Sequence, residues 1–221
     1  DPDSPALMWL RHYSNMGFLS VLLFLAFGVV LTIIVQASSV AVAITITMAA
    51  RGWIDFDLAA AIVLGENIGT TITANFAAIT ANLAAKRAAM AHLIFNVLGV
   101  IWVLCVFYFF LAMIKWLVPL NPNPDAVTLA AMGIDNFSSL TGAAREVALQ
   151  KLAVPERLAM FHTMFNFCNI CLLIGFVPQI EKLTNWILKD KSGGRHRTSV
   201  QRLEYLTSNV AEMGELALFE G

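Results

Sequence analysis

Gln36, Ser38 and Ser39 stand almost side by side in the run from Met16 to Ala50, which holds no Asp, Glu, Lys or Arg. A second polar group follows at residues 65–71, where Gly65 and Gly69 bracket Glu66 and Asn67, and Thr70 and Thr71 close the segment. A third is repeated: His92 and Asn96, four apart in H-L-I-F-N, recur as His162 and Asn166 in H-T-M-F-N. Each serine or threonine hydroxyl donates one hydrogen bond and accepts two, and each amide brings an acceptor oxygen and two donors. Such groups serve either sign of small ion. Backbone carbonyls at a helix C-terminus suit a hard cation, and amides at a helix N-terminus suit an anion. Together they point to an oxyanion held with sodium, in a site with little fixed positive charge.

Glu66 is the only acid inside the apolar segments. An ionisable residue at membrane depth marks function by default. Cation coordination and protonation are the two readings, against a surface position where a carboxylate costs little. For Gln36, Ser38 and Ser39 the competing reading is helix packing through small polar residues, with Ala37, Ala41 and Ala43 permitting close approach. For the two His/Asn pairs, four residues apart and so on one helix face, it is hydrogen bonding between helices. The sharper alternative places them beside a transport path.

Other chemistries lack their residues. Cys168 and Cys171 form a C-x-x-C spacing with no matching second pair, and with Cys105 they read as buried small apolar residues. The four histidines do not cluster, no phosphate loop of the Walker type or nucleophile elbow occurs, and no metal ligand set is visible. The expectation is a non-enzyme with no catalytic residues, no cofactor and no resident metal. The net charge of −1 gives no nucleic-acid signal.

The elements that must hold these residues are membrane helices. Of the 221 residues, 58% are hydrophobic and 13% charged, and the mean hydropathy is +0.73. Soluble domains carry about 25% charged residues. Four apolar blocks, 16–50, 58–85, 88–114 and 158–180, approach or exceed the ~20 residues that cross a bilayer. The first is either one long helix or a re-entrant hairpin whose arms meet at Gln36 to Ser39. Irregular backbone at that depth must be buried in protein or line a cavity. The second reads as a discontinuous helix, unwound at its glycines and restarted with Thr70 or Thr71 as cap, a mark of secondary-transporter sites. Residues 88–116 and 158–188 read as spans, and 126–155 as one or two short surface helices.

Lys86 and Arg87, and the basic residues at 189–197, favour the cytoplasmic side. Residues 51–57 and 119–155 would then face outward, and the hairpin would enter from there. Val200, Leu203, Leu206, Val210, Met213 and Leu216 recur at helical spacing after Ser192-Gly193-Gly194, which predicts an amphipathic cytoplasmic helix. The fold class expected is an all-α polytopic membrane protein. It divides into a polar lead-in (1–15), a transmembrane part (16–190) with hairpin, discontinuous helix and two spanning helices, and the start of a cytoplasmic helical domain (191–221).

Q-A-S-S at 36–39 resembles the Q-S-S-S signature of the sodium-dependent phosphate cotransporters, and G-E-N-I-G-T-T-I-T-A at 65–74 resembles the G-x-N-I-G-T segment that follows it. The F-N and H-T-M-F-N segments are similar to the bacterial branch, in which a PhoU-like domain trails the membrane part. The resemblance covers roughly residues 15–190. It implies a protein of two inverted repeats, of which this chain holds the second, with the first lying upstream of Asp1. It also implies sodium-coupled import of inorganic phosphate across the plasma (inner) membrane. Sodium would be the coupling ion, the bilayer and the first repeat the partners, and a homodimer a candidate assembly. Gln36, Ser38 and Ser39 would form the site, completed by Asn67, Thr70 and Thr71. Ala37 departs from the pattern and removes one hydroxyl. Two other functions remain open: a carrier of a dicarboxylate or sulfate, and a phosphate-sensing regulatory subunit.

Overall fold

The first apolar block folds as two helices, α1 (Phe18–Val35) and α2 (Ser38–Ala50). The computed structural model, which describes residues 13–134 and 136–189, breaks the chain at Gln36 and Ala37. Gln36 adopts the left-handed conformation (φ 56°, ψ 20°) while its N–H caps α1 on the Thr32 carbonyl at 2.8 Å. It is the single non-glycine residue with positive φ among those described. That conformation costs a side-chain-bearing residue about 1–2 kcal/mol. Ala37 is extended (φ −144°, ψ 106°) and opens α2. With 13 residues, α2 is about 20 Å long, shorter than the ~30 Å hydrocarbon core. The hairpin therefore describes this segment and the single long helix does not.

α3 (Phe56–Ala77) follows, capped by Asp55, whose carboxylate accepts from the Leu58 N–H at 2.8 Å. It runs parallel to α1, and α2 returns antiparallel to both. The α1–α3 seam is built on glycines. A Cβ at Gly28 would strike the Ile62 carbonyl oxygen, and one at Gly65 the Leu25 carbonyl oxygen. One at Gly69 would come within 2.8 Å of Thr32 Cβ and Val29 O. This is the small-residue packing by which membrane helices approach closely.

The same contacts correct the expectation of a discontinuous helix. α3 is continuous over 22 residues, straight through 65–71. Its polar side chains bond back to their own helix: Asn67 Nδ2 donates to Val63 O, Thr70 Oγ1 to Glu66 O, Thr71 Oγ1 to Ile68 O and Thr73 Oγ1 to Thr70 O, all at 2.7–2.8 Å. Thr70 and Thr71 thus cap nothing. The glycines serve the neighbouring helix, not a break.

After a 3₁₀ turn at Ala78–Thr80, Asn82 caps α4 (Leu83–Cys105) through the Ala85 N–H at 2.9 Å. The span expected over 88–116 begins earlier and is interrupted at Val106, after which α5 (Phe107–Leu117) continues. α6 (Ala126–Ala131) is the short surface helix expected there. The rest of 126–155 differs: α7 (Gly142–Leu173) starts at 142 and contains Pro155. Its charged first turns hid it, and a proline, which removes one helix hydrogen bond, is tolerated where neighbouring helices support the backbone. The last span is likewise split, by a 3₁₀ turn at Ile174–Phe176 before α8 (Val177–Ile187).

The core centres on Phe24, Leu64, Leu111, Leu158, Phe161 and Phe165, with Phe110 edge-on to Phe161 at 5.4 Å. Outward faces are equally apolar. Phe109 is 75% exposed, and Trp116 and Trp186 are 78% and 69% exposed, placed as tryptophans sit at bilayer surfaces. Among the described residues, Phe18–Val35, Leu83–Cys105 and Gly142–Ile187 are long and apolar enough to cross a membrane. The chain is an all-α membrane protein.

Its two ends are distinct. Residues 52–57, Lys115 and 143–154 line one cavity, and Lys115 pairs with Asp57 at 2.7 Å there. At the other end Arg87 donates from Nε and Nη2 to the Leu188 carbonyl. Residues 52–57 are thus brought together with part of α7, and Arg87 with Leu188. The cysteines do not match their expected burial: Cys105 and Cys171 are exposed and Cys168 is half-buried, all three free. A sulfhydryl is apolar enough to face lipid. The amphipathic pattern at 200–216 and most of the lead-in lie outside the described residues.

Candidate functional site

Four helices meet around one cavity of about 350 Å³. α2 contributes Ser38 and Val42, α3 contributes Glu66, Asn67 and Thr70, α4 contributes His92, Phe95 and Asn96, and α7 contributes His162, Asn166 and Ile170. Eight residues singled out in the sequence thus come together: Ser38, Glu66, Asn67, Thr70, His92, Asn96, His162 and Asn166. Three do not line it. Gln36 and Ser39 are exposed at the hairpin tip, and Thr71 is buried in the helix packing.

The two His/Asn pairs are built alike. Asn96 Nδ2 donates to the His92 carbonyl at 3.1 Å, and Asn166 Nδ2 to the His162 carbonyl at 2.8 Å. Both asparagines line the cavity. The bonding is thus within helices at the asparagines. One link between helices runs from His162 Nε2 to Asn67 Oδ1 at 3.3 Å, donated in the Nε2–H tautomer.

Glu66 is 2% exposed. Its Oε1 accepts from Thr45 Oγ1 at 2.7 Å, and its Oε2 has no hydrogen-bond partner. The surface reading of Glu66 is therefore excluded by its position. No Lys or Arg lines the cavity, in keeping with a site that does not hold its ligand by fixed positive charge. The volume admits a small oxyanion with several waters of ~30 Å³ each. Among the described residues no group of three His, Cys, Asp or Glu could hold a metal ion.

The hairpin tip adds a second polar feature. α2 has no side-chain cap, so the amides of its first turn lack side-chain partners, as unsatisfied helix ends do. The Ser38 and Ser39 hydroxyls stand on that turn. The last carbonyls of α1 face the same break. A helix start and a helix end, juxtaposed, offer opposite partial charges within one turn.

Some polar residues were not singled out in the sequence. Thr45, fully buried in α2, ties that helix to Glu66. It stands in A-I-T-I-T, where nothing separates it from Thr47. Asn169, also fully buried, accepts from Trp102 Nε1 at 3.2 Å and donates to the Phe95 carbonyl at 3.4 Å, clamping α7 to α4. Asn75 donates to the Ala89 carbonyl at 2.9 Å. An Asn in an apolar run was the available signal for the last two.

Comparison with known proteins gives the chemistry a lineage. The Na+/Pi-cotransporter family model matches residues 9–116, from the lead-in to the end of α5, and so includes the hairpin, α3 and the first His/Asn pair. The chain is 44% identical over 131 residues to the "Uncharacterized protein YqeW" of Bacillus subtilis, covering 59% of this chain and 38% of that one. It is 27% identical over 173 residues to the "Putative inorganic phosphate export protein YjbB" of Escherichia coli K12, covering 77% and 25%. It is 37% identical over 89 residues to the mouse "Sodium-dependent phosphate transport protein 2C", covering 38% and 15%. The chain thus spans well under half the length of these relatives. No solved structure matches it significantly. The Q-A-S-S hairpin and the G-E-N-I-G-T-T helix both lie inside the segment that matches the Na+/Pi-cotransporter family model.

Proposed function

We propose that the chain is one half of a sodium-coupled carrier that imports inorganic phosphate across the plasma (inner) membrane, with residues beyond 190 on the cytoplasmic side. The first inverted repeat would lie upstream and cover the exposed face of Gln36 and Ser39. The observation that carries the reading is the uncapped start of α2, with Ser38 and Ser39 on it, opening beside a cavity free of Lys and Arg. Backbone amides and hydroxyls there suit a phosphate oxygen. The α1 carbonyls and the side-chain oxygens of Thr70, Asn96 and Asn166, residues that line the cavity, suit sodium. The inward sodium gradient supplies the drive, one charge across 100 mV being worth about 2.3 kcal/mol.

The deciding experiment measures phosphate uptake by the full-length carrier in proteoliposomes, with and without a sodium gradient. Sodium-dependent uptake that is lost in Ser38→Ala/Ser39→Ala, with insertion unchanged, is the expected result. Uptake that ignores sodium refutes the coupling, and equal uptake in the double variant removes the tip from the site. One relative is named for phosphate export, which favours the opposite direction as a second reading. Reversing the sodium gradient across the same vesicles decides between them.

A further inference from the structure

The Glu66 carboxyl has a geometry that an ion-pairing carboxylate does not. It is 2% exposed, one oxygen takes a single hydrogen bond from Thr45, and the other oxygen, Oε2, has no partner while Glu66 lines the central cavity. A carboxylate so placed needs a counter-charge, because an unpaired buried charge is costly. None is fixed nearby. α1 and α2 contain no charged residue. On α4, Lys86 and Arg87 sit at the far end, Arg87 bound to the Leu188 carbonyl. On α7, Arg157 is committed to the Val118 carbonyl and Gln150, and Arg145 and Lys151 lie toward the same outer end. The titratable groups that do face the cavity are His92 from α4 and His162 from α7, and neither forms an ion pair with Glu66; the one ion pair among the described residues joins Lys115 and Asp57.

We propose that Glu66 is a proton-carrying site whose protonated form donates the hydrogen bond from Oε2 to the bound oxyanion. With a proton on Oε2 the acid is neutral, keeps its acceptor contact with Thr45 through Oε1, and gains a donor at the one oxygen that has no partner. Asn96 and Asn166 each spend an amide hydrogen on their own helix, and Thr70 spends its hydroxyl hydrogen on the Glu66 carbonyl. Without the proton, the same carboxylate would repel an anion. Phosphate occupancy thereby becomes conditional on one proton, taken from water and returned to it, with no other bond made or broken.

A route for that proton is also present. His92 lines the central cavity and also a second cavity of about 580 Å³, bordered by Arg87, Glu181 and Thr184, at the Arg87–Leu188 end. Imidazole is the side chain best suited to relay protons near neutral pH. The proposal rests on the phosphate-carrier reading for its ligand but not for its proton, so two measurements separate the two.

The first is infrared difference spectroscopy of the purified full-length protein through a pH titration. A protonated-carboxyl carbonyl band that titrates in the wild type, is missing in Glu66→Gln, is displaced in Thr45→Val and is restored in Thr45→Ser is the expected result. Its absence from the wild type overturns the proposal whether or not phosphate is transported.

The second is phosphate uptake against pH in wild type and Glu66→Gln, expressed as their ratio so that the titration of phosphate itself cancels. The amide keeps a donor but no titratable proton. The wild-type-to-variant ratio is expected to fall about tenfold per pH unit above the carboxyl's midpoint. Parallel profiles would overturn the donor role while leaving the carrier reading intact. Should Glu66→Gln fail to fold, the same comparison is made between Thr45→Val and Thr45→Ser, with parallel profiles again the refuting result.

Discussion

Replacing Gly65 with alanine tests the α1–α3 seam at its tightest point. In an open helix the change should help, since alanine is favoured over glycine by about 1 kcal/mol. Here the new methyl would land on the Leu25 carbonyl oxygen and within 2.9 Å of Val29 N. Both are backbone, so no flexible side chain can swing away and the helices must part. Overpacking of this kind costs about 1–3 kcal/mol, and a rigid backbone obstacle argues for the upper end. A separation of 0.5–1 Å would also forfeit about a quarter to a half of each dispersion contact along the seam. Subtracting the gain in propensity leaves a net loss of about 2 kcal/mol, or a Tm lower by roughly 4–8 °C for a chain of this size. The assay is thermal unfolding of the detergent-solubilised protein followed by intrinsic fluorescence. Gly175→Ala serves as the control, since a Cβ at Gly175 would meet nothing within 4 Å. A Tm for Gly65→Ala at or above that of the wild type would refute the reasoning, because the seam would then have slack that its geometry denies.

Ala37→Ser should supply the missing cap of α2 and stabilise the hairpin by about 0.5–2 kcal/mol, seen as a higher Tm; unchanged stability would mean that the first-turn amides are already satisfied. Asn169→Leu should cost about 1–3 kcal/mol, because it strands the Trp102 N–H and removes the tie to the Phe95 carbonyl, and the red-edge shift of Trp102 fluorescence reports it. The Thr128 N–H, and secondly its hydroxyl, hold the Asp125 carboxyl below its ordinary range. Because the folded value is the lower one, the cap on α6 is fully present above the unfolded value and is lost as pH falls through the folded one; amide exchange at Thr128 should quicken at acid pH and stay unchanged in neutral buffer.

Much of the lining of the candidate site could be read from residue type and spacing alone. The four-residue interval of His92 and Asn96, repeated at His162 and Asn166, placed each pair on one helix face, and the fold turns both faces to one cavity. The hairpin was legible because three polar residues at the centre of an uncharged run have no place on a plain span. The continuity of α3 was not legible. Glycine reads as a helix breaker when local propensity is the guide, and Gly65 and Gly69 are there because α1 lies across them, a partner invisible within the segment. Thr45 was missed for the same reason, since its importance comes from Glu66 on another helix. The start of α7 was hidden by Arg145, Glu146, Lys151 and Glu156, whose charges read as surface although the helix runs unbroken into the apolar interior.

The glycine seam also decides what can move. With α1 set against α3 by backbone-to-backbone contact, and α2 tied to α3 by Thr45 and Glu66, the three helices form one packed unit. The helical path of the described chain is interrupted elsewhere, at the 3₁₀ turn of Ala78–Thr80, at Val106 and at Ile174–Phe176. Glu66 thus belongs to the same packed unit as the hairpin tip, while His92, His162 and their asparagines stand on α4 and α7, beyond the first of those interruptions. The cavity therefore lies on the seam between one helical unit and another.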